Sequence, residues 1–211
     1  LGYAHRDQVT HVLPDMDGTF NPVSQLIPGK SGAKANRTSM AARMLAQSLP
    51  LVNPEAPYVQ SAVPGSTQSF QEKYGTLVGA VRAKQPGTVE SVEEGKVTVR
   101  NLDGSTQSYS LHVNTPNNRK SALHNTPTVQ TGDRVDKDGL IASSNFTDNQ
   151  GTIAVGSNLR AAYIPYQGQS FEDALVISKA AAKKLTSMHL YQHDVELSDE
   201  TRKRSEEHTS E

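Results

Sequence analysis

The chain has 211 residues, with 21 Lys and Arg against 22 Asp and Glu, no Cys and no Trp. The balanced charge gives no general affinity for nucleic acid, although a local basic patch stays open, and the lack of Cys excludes disulfides, thiolate zinc sites and cysteine nucleophiles. Aromatic residues make up 5% of the chain, which is low for one large core, so we expect modest β modules joined by exposed connections. No apolar run approaches the roughly 18 residues of a membrane helix and no signal peptide is evident, so we expect a soluble, cytoplasmic protein.

The first helical pattern follows an N-terminal stretch, residues 1–35, that Pro, Gly and Asp interrupt without any sustained period. In "NRTSMAARMLAQSL" the apolar residues, among them Met40 and Met44, repeat every four positions. This spacing predicts a helix of about three turns with Asn36 as its N-terminal cap. The prolines of the following "PLVNPEAPYV" cannot continue a helix and predict its end.

From about residue 75 the period changes to two, because Val alternates with polar residues. Glu94-Gly95 and Asp103-Gly104 interrupt this alternation and predict hairpin turns. The segment "GDRVDKDG", Gly132–Gly139, continues the pattern with further turns that we interpret as hairpins. Together these features predict a small β barrel or sandwich over residues 75–145.

The remaining residues predict fewer elements. "TIAVGSNLRAAYIPY", residues 152–166, indicates a further group of strands. A short helix is predicted after Ser178, and "LYQHDVEL" alternates as another strand would. The last eight residues, "RSEEHTSE" (204–211), resemble a translated sequencing adapter, and position 1 is not Met, so we expect the natural protein to continue past both ends.

Two short motifs are typical of phosphate chemistry but lack their required context. "DMDGT", from Asp15, resembles the first motif of the haloacid-dehalogenase-like phosphatases, whose leading Asp is a nucleophile beside Mg²⁺. That family needs a buried strand directly before the motif, so a Pro-Asp-x-Asp-Gly turn is favoured here. "GKSGAK" has Ser24 where a phosphate loop requires Gly, which leaves a flexible basic loop, with Lys30, Lys34, Arg37 and Arg43 in one short window, that could hold phosphates. We assign no role to the scattered histidines.

The adjacent carboxylates of "IPYQGQSFEDALVIS", Glu172 and Asp173, precede an apolar run. Ser170 and Asp173 have the spacing of a helix cap, and acidic residues are favoured in a first helical turn. Alternatively, both carboxylates could face a divalent metal bound to phosphates, because hard cations prefer oxygen ligands. The residues alone leave both interpretations open.

Four segments together resemble the beta subunit of the multisubunit DNA-dependent RNA polymerases. "IPYQGQSFEDALVIS" is similar to that family's M-P-W-x-G-Y-N-F-E-D-A-I-L-I-S segment. "LIPGKSGAKANRTSMAARMLAQSLPLVNPEAPYV", Leu26 to Val59, resembles its L-I-P…N-R-A-L-M-G…E-A-P-L-V segment with nearly matching spacing. Residues 129–163 and "MHLYQHDVEL" match two further segments, so the resemblance covers roughly residues 24–200 in unbroken order.

The resemblance implies a site and a mechanism. In the family, two-metal phosphoryl chemistry adds an NTP to the RNA 3′ end, and the main metal-binding aspartates belong to the beta-prime subunit. Glu172 and Asp173 occupy the positions of the beta-subunit pair beside the second Mg²⁺, which they contact largely through water. Arg37 matches the arginine that contacts NTP phosphates, with Asn36 alongside, and Gln47 matches a glutamine that faces the RNA–DNA hybrid.

The resemblance also implies the organisation of the chain. We expect a mainly β fold with a few short helices. Residues 26–74 and 146–203 would be two parts of the hybrid-binding region, itself part of a double-psi-type β-barrel. Residues 75–145 would be an inserted barrel-sandwich-like module, 1–25 stay unassigned and 204–211 would be a non-native tail. Expected partners are beta-prime-like and alpha-like subunits, a sigma-like factor, DNA template, RNA and NTPs, without a membrane, in the nucleoid region of the cytoplasm.

Departures from the family pattern indicate a divergent member. Ala46 stands where the family has a basic residue, and Tyr166 stands where it has Trp. By itself the chain should not polymerise RNA. Two alternatives remain: a non-catalytic β-rich scaffold or carrier module, which the "GDRVDKDG" hairpins would fit, and a phosphatase built on Asp15. A carrier requires a modifiable Lys at a hairpin tip, and the usual flanking residues of such a Lys are missing.

Overall fold

The computed structural model describes residues 2–12, 20–63, 65–118, 120–168, 172–191 and 193. In this part of the chain four α-helices are present: α1 Pro22–Gln25, α2 Ala35–Ala46, α3 Phe70–Leu77 and α4 Lys179–Lys184. Nine short strands accompany them in the same residues: β1 Val81–Arg82, β2 Gly87–Glu93, β3 Lys96–Asn101, β4 Thr106–Ser110, β5 Thr115–Asn117, β6 Ser121–Leu123, β7 Asn125–Pro127, β8 Arg134–Val135 and β9 Leu140–Ser144.

Helix α2 confirms the predicted helix but not its cap or its apolar face. The N-terminal cap is Lys34, which makes no capping hydrogen bond with its side chain, and Asn36 is already the second helical residue. The buried residues of α2 are Thr38 and Ala42, four positions apart, whereas the side chains of Met40 and Met44 are exposed. The prediction of a cap at Asn36 is therefore wrong, because the chain becomes helical two residues earlier, at Ala35.

Helix α3 was not predicted, although its start has a sequence signal. The Ser69 hydroxyl accepts the Glu72 N–H at 3.0 Å, and the Glu72 carboxylate accepts the Ser69 N–H at 3.0 Å, which is a complete capping box. Gly75 lies directly against the carbonyl of Gly151, where the first carbon of any side chain would collide with the backbone. The lack of a side chain at Gly75 therefore allows α3 to pack against the segment that follows β9.

Strands β2, β3 and β4 form an antiparallel meander, and β8 pairs with the outer edge of β2. The predicted turns at Glu94-Gly95 and Asp103-Gly104 are confirmed as the two connections. Gly95 has a φ of 78°, the left-handed conformation that a two-residue hairpin requires. In the second connection the hydroxyl and N–H of Ser105 donate to Asp103, and these bonds hold the pKa of the Asp103 carboxyl below its usual value.

Strands β1, β9 and β7 form a second, three-stranded sheet in that order, and β5 pairs with β6 alone. Since β8 pairs with β2 while β9 pairs with β1 and β7, the strands on either side of Asp136–Gly139 belong to different sheets. The prediction of hairpins within Gly132–Gly139 is therefore wrong. The segment instead carries the chain from one sheet to the other through a tight turn, closed by the Gly139 N–H on the Asp136 carbonyl at 3.0 Å.

The main apolar core lies between these two sheets. Its buried members come from β2, β3, β4, β8, β9 and the residue after β1: Ala83, Val89, Val97, Val99, Tyr109, Val135 and Ile141. The Tyr109 hydroxyl accepts the Lys84 N–H at 2.9 Å, so the one phenol in the cluster is satisfied. The core thus joins both sheets into one packed unit within the predicted 75–145 segment.

The β-rich architecture with a few short helices is confirmed, and the short helix after Ser178 is α4. The strand group predicted over residues 152–166 is reduced to isolated bridges at Ile153 and Gly156. Asp15–Thr19, Ser170, residues 204–211 and most of "LYQHDVEL" lie outside the described residues. Within those residues, no helix has the length and apolar character needed to cross a membrane.

Truncating the centre of the core should destabilise the fold. Ile141 is fully buried between the two sheets, so Ile141→Ala should lower the free energy of unfolding by about 2–5 kcal/mol. Leu102, which is 81% exposed in the β3–β4 connection, provides the control, and Leu102→Ala should change the same quantity by less than about 0.5 kcal/mol. Urea denaturation measures both, and equal effects of the two substitutions would contradict this placement of the core.

Candidate functional site

Helix α2 carries three of the predicted site residues on its two ends. Asn36 and Arg37 lie in its first turn with exposed side chains, and Gln47 is the residue that ends it. The Gln47 N–H donates to the Arg43 carbonyl at 3.0 Å. The side chain of Gln47 is exposed. At the rise of an α-helix, Arg37 and Gln47 are about 15 Å apart along the axis, so they can contact one elongated ligand at two places.

The segment before α2 presents further basic groups. Lys34 caps the helix, and the ammonium of Lys30 lies 6.0 Å from the centre of the Phe20 ring. Arg37 and Arg43 project from the helix itself and are exposed. The basic loop predicted from "GKSGAK" is thus an accessible surface that leads into the first turn of α2.

Glu172 and Asp173 lie in a turn and not in a helix. Both side chains are exposed, and the following helix begins only at Lys179. The interpretation of this pair as a first-turn cap is therefore wrong. Glu172 has a φ of 55°, a left-handed conformation that is uncommon for residues other than Gly. Strained backbone of this kind occurs preferentially at functional sites, which supports the other interpretation of the pair.

The apolar run after the pair is also exposed. Leu175, Val176 and Ile177 are 89%, 49% and 56% exposed. An apolar run of this kind is usually buried, but no other described residues cover these three side chains. This surface and the acidic turn are adjacent in the chain.

The acidic turn fits a shared metal site better than a self-contained one. Among the described residues, no group of three or more His, Cys, Asp or Glu side chains is placed to hold a metal ion. Mg²⁺ is usually held by one or two protein carboxylates together with phosphates and water. Two adjacent, exposed carboxylates meet that requirement when the remaining ligands come from other molecules. No hydrogen bond or ion pair joins Arg37 to Glu172 or Asp173 in the described part of the chain.

Glu55 connects the segment after α2 to both flanks of the acidic turn. Its carboxylate accepts the Asn158 N–H at 2.8 Å through Oε2 and the Lys184 ammonium at 2.8 Å through Oε1. The Glu55 N–H also donates to the Gly156 carbonyl at 2.9 Å, and the Asn158 amide donates to the Ala56 carbonyl at 2.8 Å. One carboxylate therefore binds a group that precedes Glu172 and Asp173 in the chain and a group that follows them.

These donors change the ionisation of Glu55. The hydrogen bond from Lys184 and the one from the Asn158 backbone lower the pKa of Glu55 from 4.5 to about 2. The same contact raises the pKa of Lys184, mainly through the hydrogen bond to Glu55. The pair is partly solvent-accessible, at 34% for Glu55 and 52% for Lys184, so the contact is screened and acts more on geometry than on total stability.

A second set of contacts lies beside Glu55. The Val52 N–H donates to the Thr186 carbonyl at 2.9 Å, and the Met188 N–H donates to the Pro50 carbonyl at 2.8 Å. Leu51 and Ser187 form an antiparallel bridge between these bonds. Sequence analysis missed Glu55 as an organising residue, because its partner Lys184 is 129 positions away and no local pattern links them.

Comparison of the sequence with known proteins shows the family to which the chain belongs. The family model for RNA polymerase Rpb2, domain 6, matches residues 82–211, which include the acidic turn, α4 and all nine strands except the first residue of β1. The chain belongs to this family. Its resemblance to polymerase beta subunits, predicted from the sequence, is confirmed.

Individual relatives extend the similarity towards the N-terminus. The DNA-directed RNA polymerase subunit beta of Rubrobacter xylanophilus is 34% identical over 183 residues, which is 86% of this chain and 15% of the relative. The subunit of the same name from Syntrophomonas wolfei is 33% identical over 193 residues, 90% of this chain and 17% of the relative. That of Limosilactobacillus reuteri is 34% identical over 190 residues, 89% and 15% respectively. The chain thus spans only 15% to 17% of the length of these curated relatives.

The lowered pKa of Glu55 predicts a specific loss of stability in acid. A carboxylate with a lowered pKa stabilises the folded chain fully above its unfolded value of 4.5, and this contribution disappears as the pH falls towards about 2. Glu55→Gln should therefore have a shallower dependence of the urea midpoint on pH across this window than the wild type. Glu94→Gln, in the exposed β2–β3 turn, should keep the wild-type slope. Equal slopes for wild type and Glu55→Gln would show that the Lys184 and Asn158 contacts do not form in solution.

Proposed function

We propose that this chain is part of the catalytic region of a DNA-directed RNA polymerase and contributes contacts to the NTP phosphates and to the second metal during template-directed RNA synthesis. The observation that carries the proposal is the similarity to polymerase beta subunits over most of the chain, at 33–34% identity. The Glu55 contacts support it, because they bring the segment after α2 to both flanks of the acidic turn.

Arg37 would bind the phosphates of the incoming NTP, with Asn36 beside it. The planar guanidinium holds phosphate oxygens in a fixed geometry and keeps its charge at any working pH. Both side chains are exposed in the first turn of α2, where the positive end of the helix dipole favours anions. Gln47, at the other end of α2, would contact the RNA–DNA hybrid.

Glu172 and Asp173 would hold the second Mg²⁺ from outside its inner shell, through water. When bound, the metal would neutralise developing charge on the transferred phosphoryl group. The two carboxylates would fix its hydration shell and its position, which suits side chains that are exposed and free of intramolecular partners in the described residues. A beta-prime-like subunit would supply the main aspartate ligands, so the chain alone should be inactive.

The remaining partners and the finer fold belong to the same proposal. Alpha-like subunits, a sigma-like factor, template DNA and RNA would complete the enzyme. Residues 26–74 and 146–203 would belong to a double-psi-type β-barrel, with residues 75–145 inserted as a barrel-sandwich-like module. The exposed Leu175, Val176 and Ile177 support this arrangement, since further barrel strands would cover them.

The carrier alternative has less structural support than the sequence suggested. A carrier barrel presents its modified Lys at the tip of a hairpin, and Lys137 instead lies in a turn between strands of two different sheets. Asp15, on which the phosphatase alternative depends, lies outside the described residues.

Removal of the Asp173 carboxylate should impair catalysis in the assembled enzyme. With Asp173→Ala in the polymerase that contains this chain, we expect the rate of nucleotide addition to fall by roughly 10- to 100-fold, a typical loss when a group that orients a metal's ligands is removed. Single-nucleotide extension of a preformed RNA–DNA scaffold measures this rate. Glu94→Ala is the control, since Glu94 lies in the exposed β2–β3 turn outside the proposed site. A wild-type rate for Asp173→Ala would overturn the assignment.

Removal of the Arg37 guanidinium should weaken NTP binding. Loss of one charge-assisted contact to phosphate should raise the KM for NTP by about 10-fold or more, equivalent to about 1.4 kcal/mol. Arg37→Lys should restore only part of the affinity, because a point charge cannot replace the planar fork. Arg43→Ala removes an exposed Arg from the same helix and should leave the KM unchanged. Equal effects of the two alanine substitutions would indicate a general charge effect instead of a specific contact.

A further inference from the structure

We propose that Glu55 is a positioning residue for the acidic turn: by holding Asn158 and Lys184 on one carboxylate, it fixes where Glu172 and Asp173 lie. This inference rests on the proposed function, because it concerns how the same carboxylates reach the metal. Glu55 itself would contact neither metal nor substrate.

The two ends of the intervening segment meet at Glu55. Oε2 accepts the backbone N–H of Asn158, 14 residues before Glu172 in the chain, and Oε1 accepts the ammonium of Lys184, 11 residues after Asp173. Two further hydrogen bonds hold the Asn158 end against the same segment. The Glu55 N–H donates to the Gly156 carbonyl, and the Asn158 side-chain amide donates to the Ala56 carbonyl. The carboxylate is therefore the one group here that bonds to both ends at once.

Between these ends the segment has little hydrogen bonding of its own. Apart from Tyr166, the described residues of 159–177 form no backbone hydrogen bond with another described residue. Most of the large apolar side chains in this stretch are also exposed, including Tyr163, Ile164 and Leu175. The position of the acidic turn therefore depends on how the two ends of this segment, at Asn158 and Lys184, are held. A long loop with few contacts of its own is restrained mainly at the points where it joins the rest of the fold.

The contacts of Pro50–Val52 with Thr186–Met188 do not replace Glu55. They fix the chain after α4, and nothing in them involves the Asn158 end. Glu55 adds the link between the two ends. Without the Lys184 contact, the chain around Asn158 and the end of α4 would remain attached to the 50–56 segment by separate bonds and could shift relative to each other.

The first test is hydrogen exchange of the full chain followed by mass spectrometry, which does not depend on any catalytic activity. Lys184→Met removes one of the two contacts of Glu55 while it keeps most of the apolar stem. Lys183→Met is the matched control, because Lys183 is the neighbouring residue of α4 and has no ion pair among the described residues. We expect peptides that cover the hydrogen-bonded amides of residues 179–188 to exchange faster in Lys184→Met by several-fold, roughly the change seen when a local contact is lost, and to be unchanged in Lys183→Met.

A rescue variant and an internal standard keep this test specific. Lys184→Arg retains a donor for Oε1 and should restore wild-type exchange. Peptides from β2, β3 and β9 should exchange alike in all variants, since their core is separate from Glu55. Identical exchange of the 179–188 peptides in wild type and Lys184→Met would overturn the proposal.

The second test measures the magnesium dependence of nucleotide addition by the assembled polymerase. A residue that positions the outer ligands of a metal should shift the Mg²⁺ concentration for half-maximal rate by about 10-fold when it is removed, and the rate at saturating Mg²⁺ should change less. We expect this shift for Glu55→Ala and Lys184→Met and not for Lys183→Met. A purely structural defect would lower the rate at every Mg²⁺ concentration and leave the half-maximal concentration unchanged, and that result would overturn the proposal.

The two tests separate this inference from the proposed function. If Asp173→Ala leaves nucleotide addition intact, the proposed function of the turn fails whatever Lys184→Met does. If Asp173→Ala abolishes addition while Lys184→Met matches Lys183→Met in both exchange and Mg²⁺ dependence, the function stands and only the positioning role of Glu55 is lost.

Discussion

The arrangement of the proposed site depends on one partly exposed carboxylate. Glu55 accepts a backbone N–H from Asn158 and the ammonium of Lys184, and these donors lower its pKa to about 2. An ion pair with this much solvent access contributes little to global stability, so its importance is geometric. It joins three stretches that are far apart in the sequence: the continuation of α2, the segment after β9 and the end of α4.

The β module provides a rigid base for that junction. Its two sheets share a core centred on Ile141, and Gly75 allows α3 to pack closely on Gly151, which follows β9. Gln71 in α3 accepts the Ile153 N–H on its carbonyl at 3.1 Å, five residues before Asn158. Order in the core therefore extends through α3 to the segment that Glu55 binds. The acidic turn lies farther along the chain, where few contacts of its own are present.

The sequence predicted the elements that local patterns encode. The helix α2, the Gly-containing turns of the β2–β3–β4 meander and the short helix after Ser178 each depend on neighbouring residues, and all three were found. Some errors are local: the caps predicted at Asn36 and at Glu172-Asp173 are wrong, and α3 was missed. The others concern long-range pairing. Gly132–Gly139 has the composition of a hairpin, but β8 and β9 pair in different sheets. The contact of Glu55 with Lys184 likewise has no local signal. The positions of the site residues came from the family resemblance, and their roles remain predictions.

This chain contains two kinds of acidic residue, which differ in the surroundings of their carboxylates. Glu55 is neutralised by donors of the chain itself, which fixes it and leaves little capacity to bind anything else. Glu172 and Asp173 are exposed, adjacent and without a cationic partner among the described residues, and Glu172 adopts a left-handed backbone. Two like charges kept side by side repel unless a cation compensates them. Since none of the described residues provides such a cation for this turn, the pair is suited to the proposed metal ion between the turn and a phosphate.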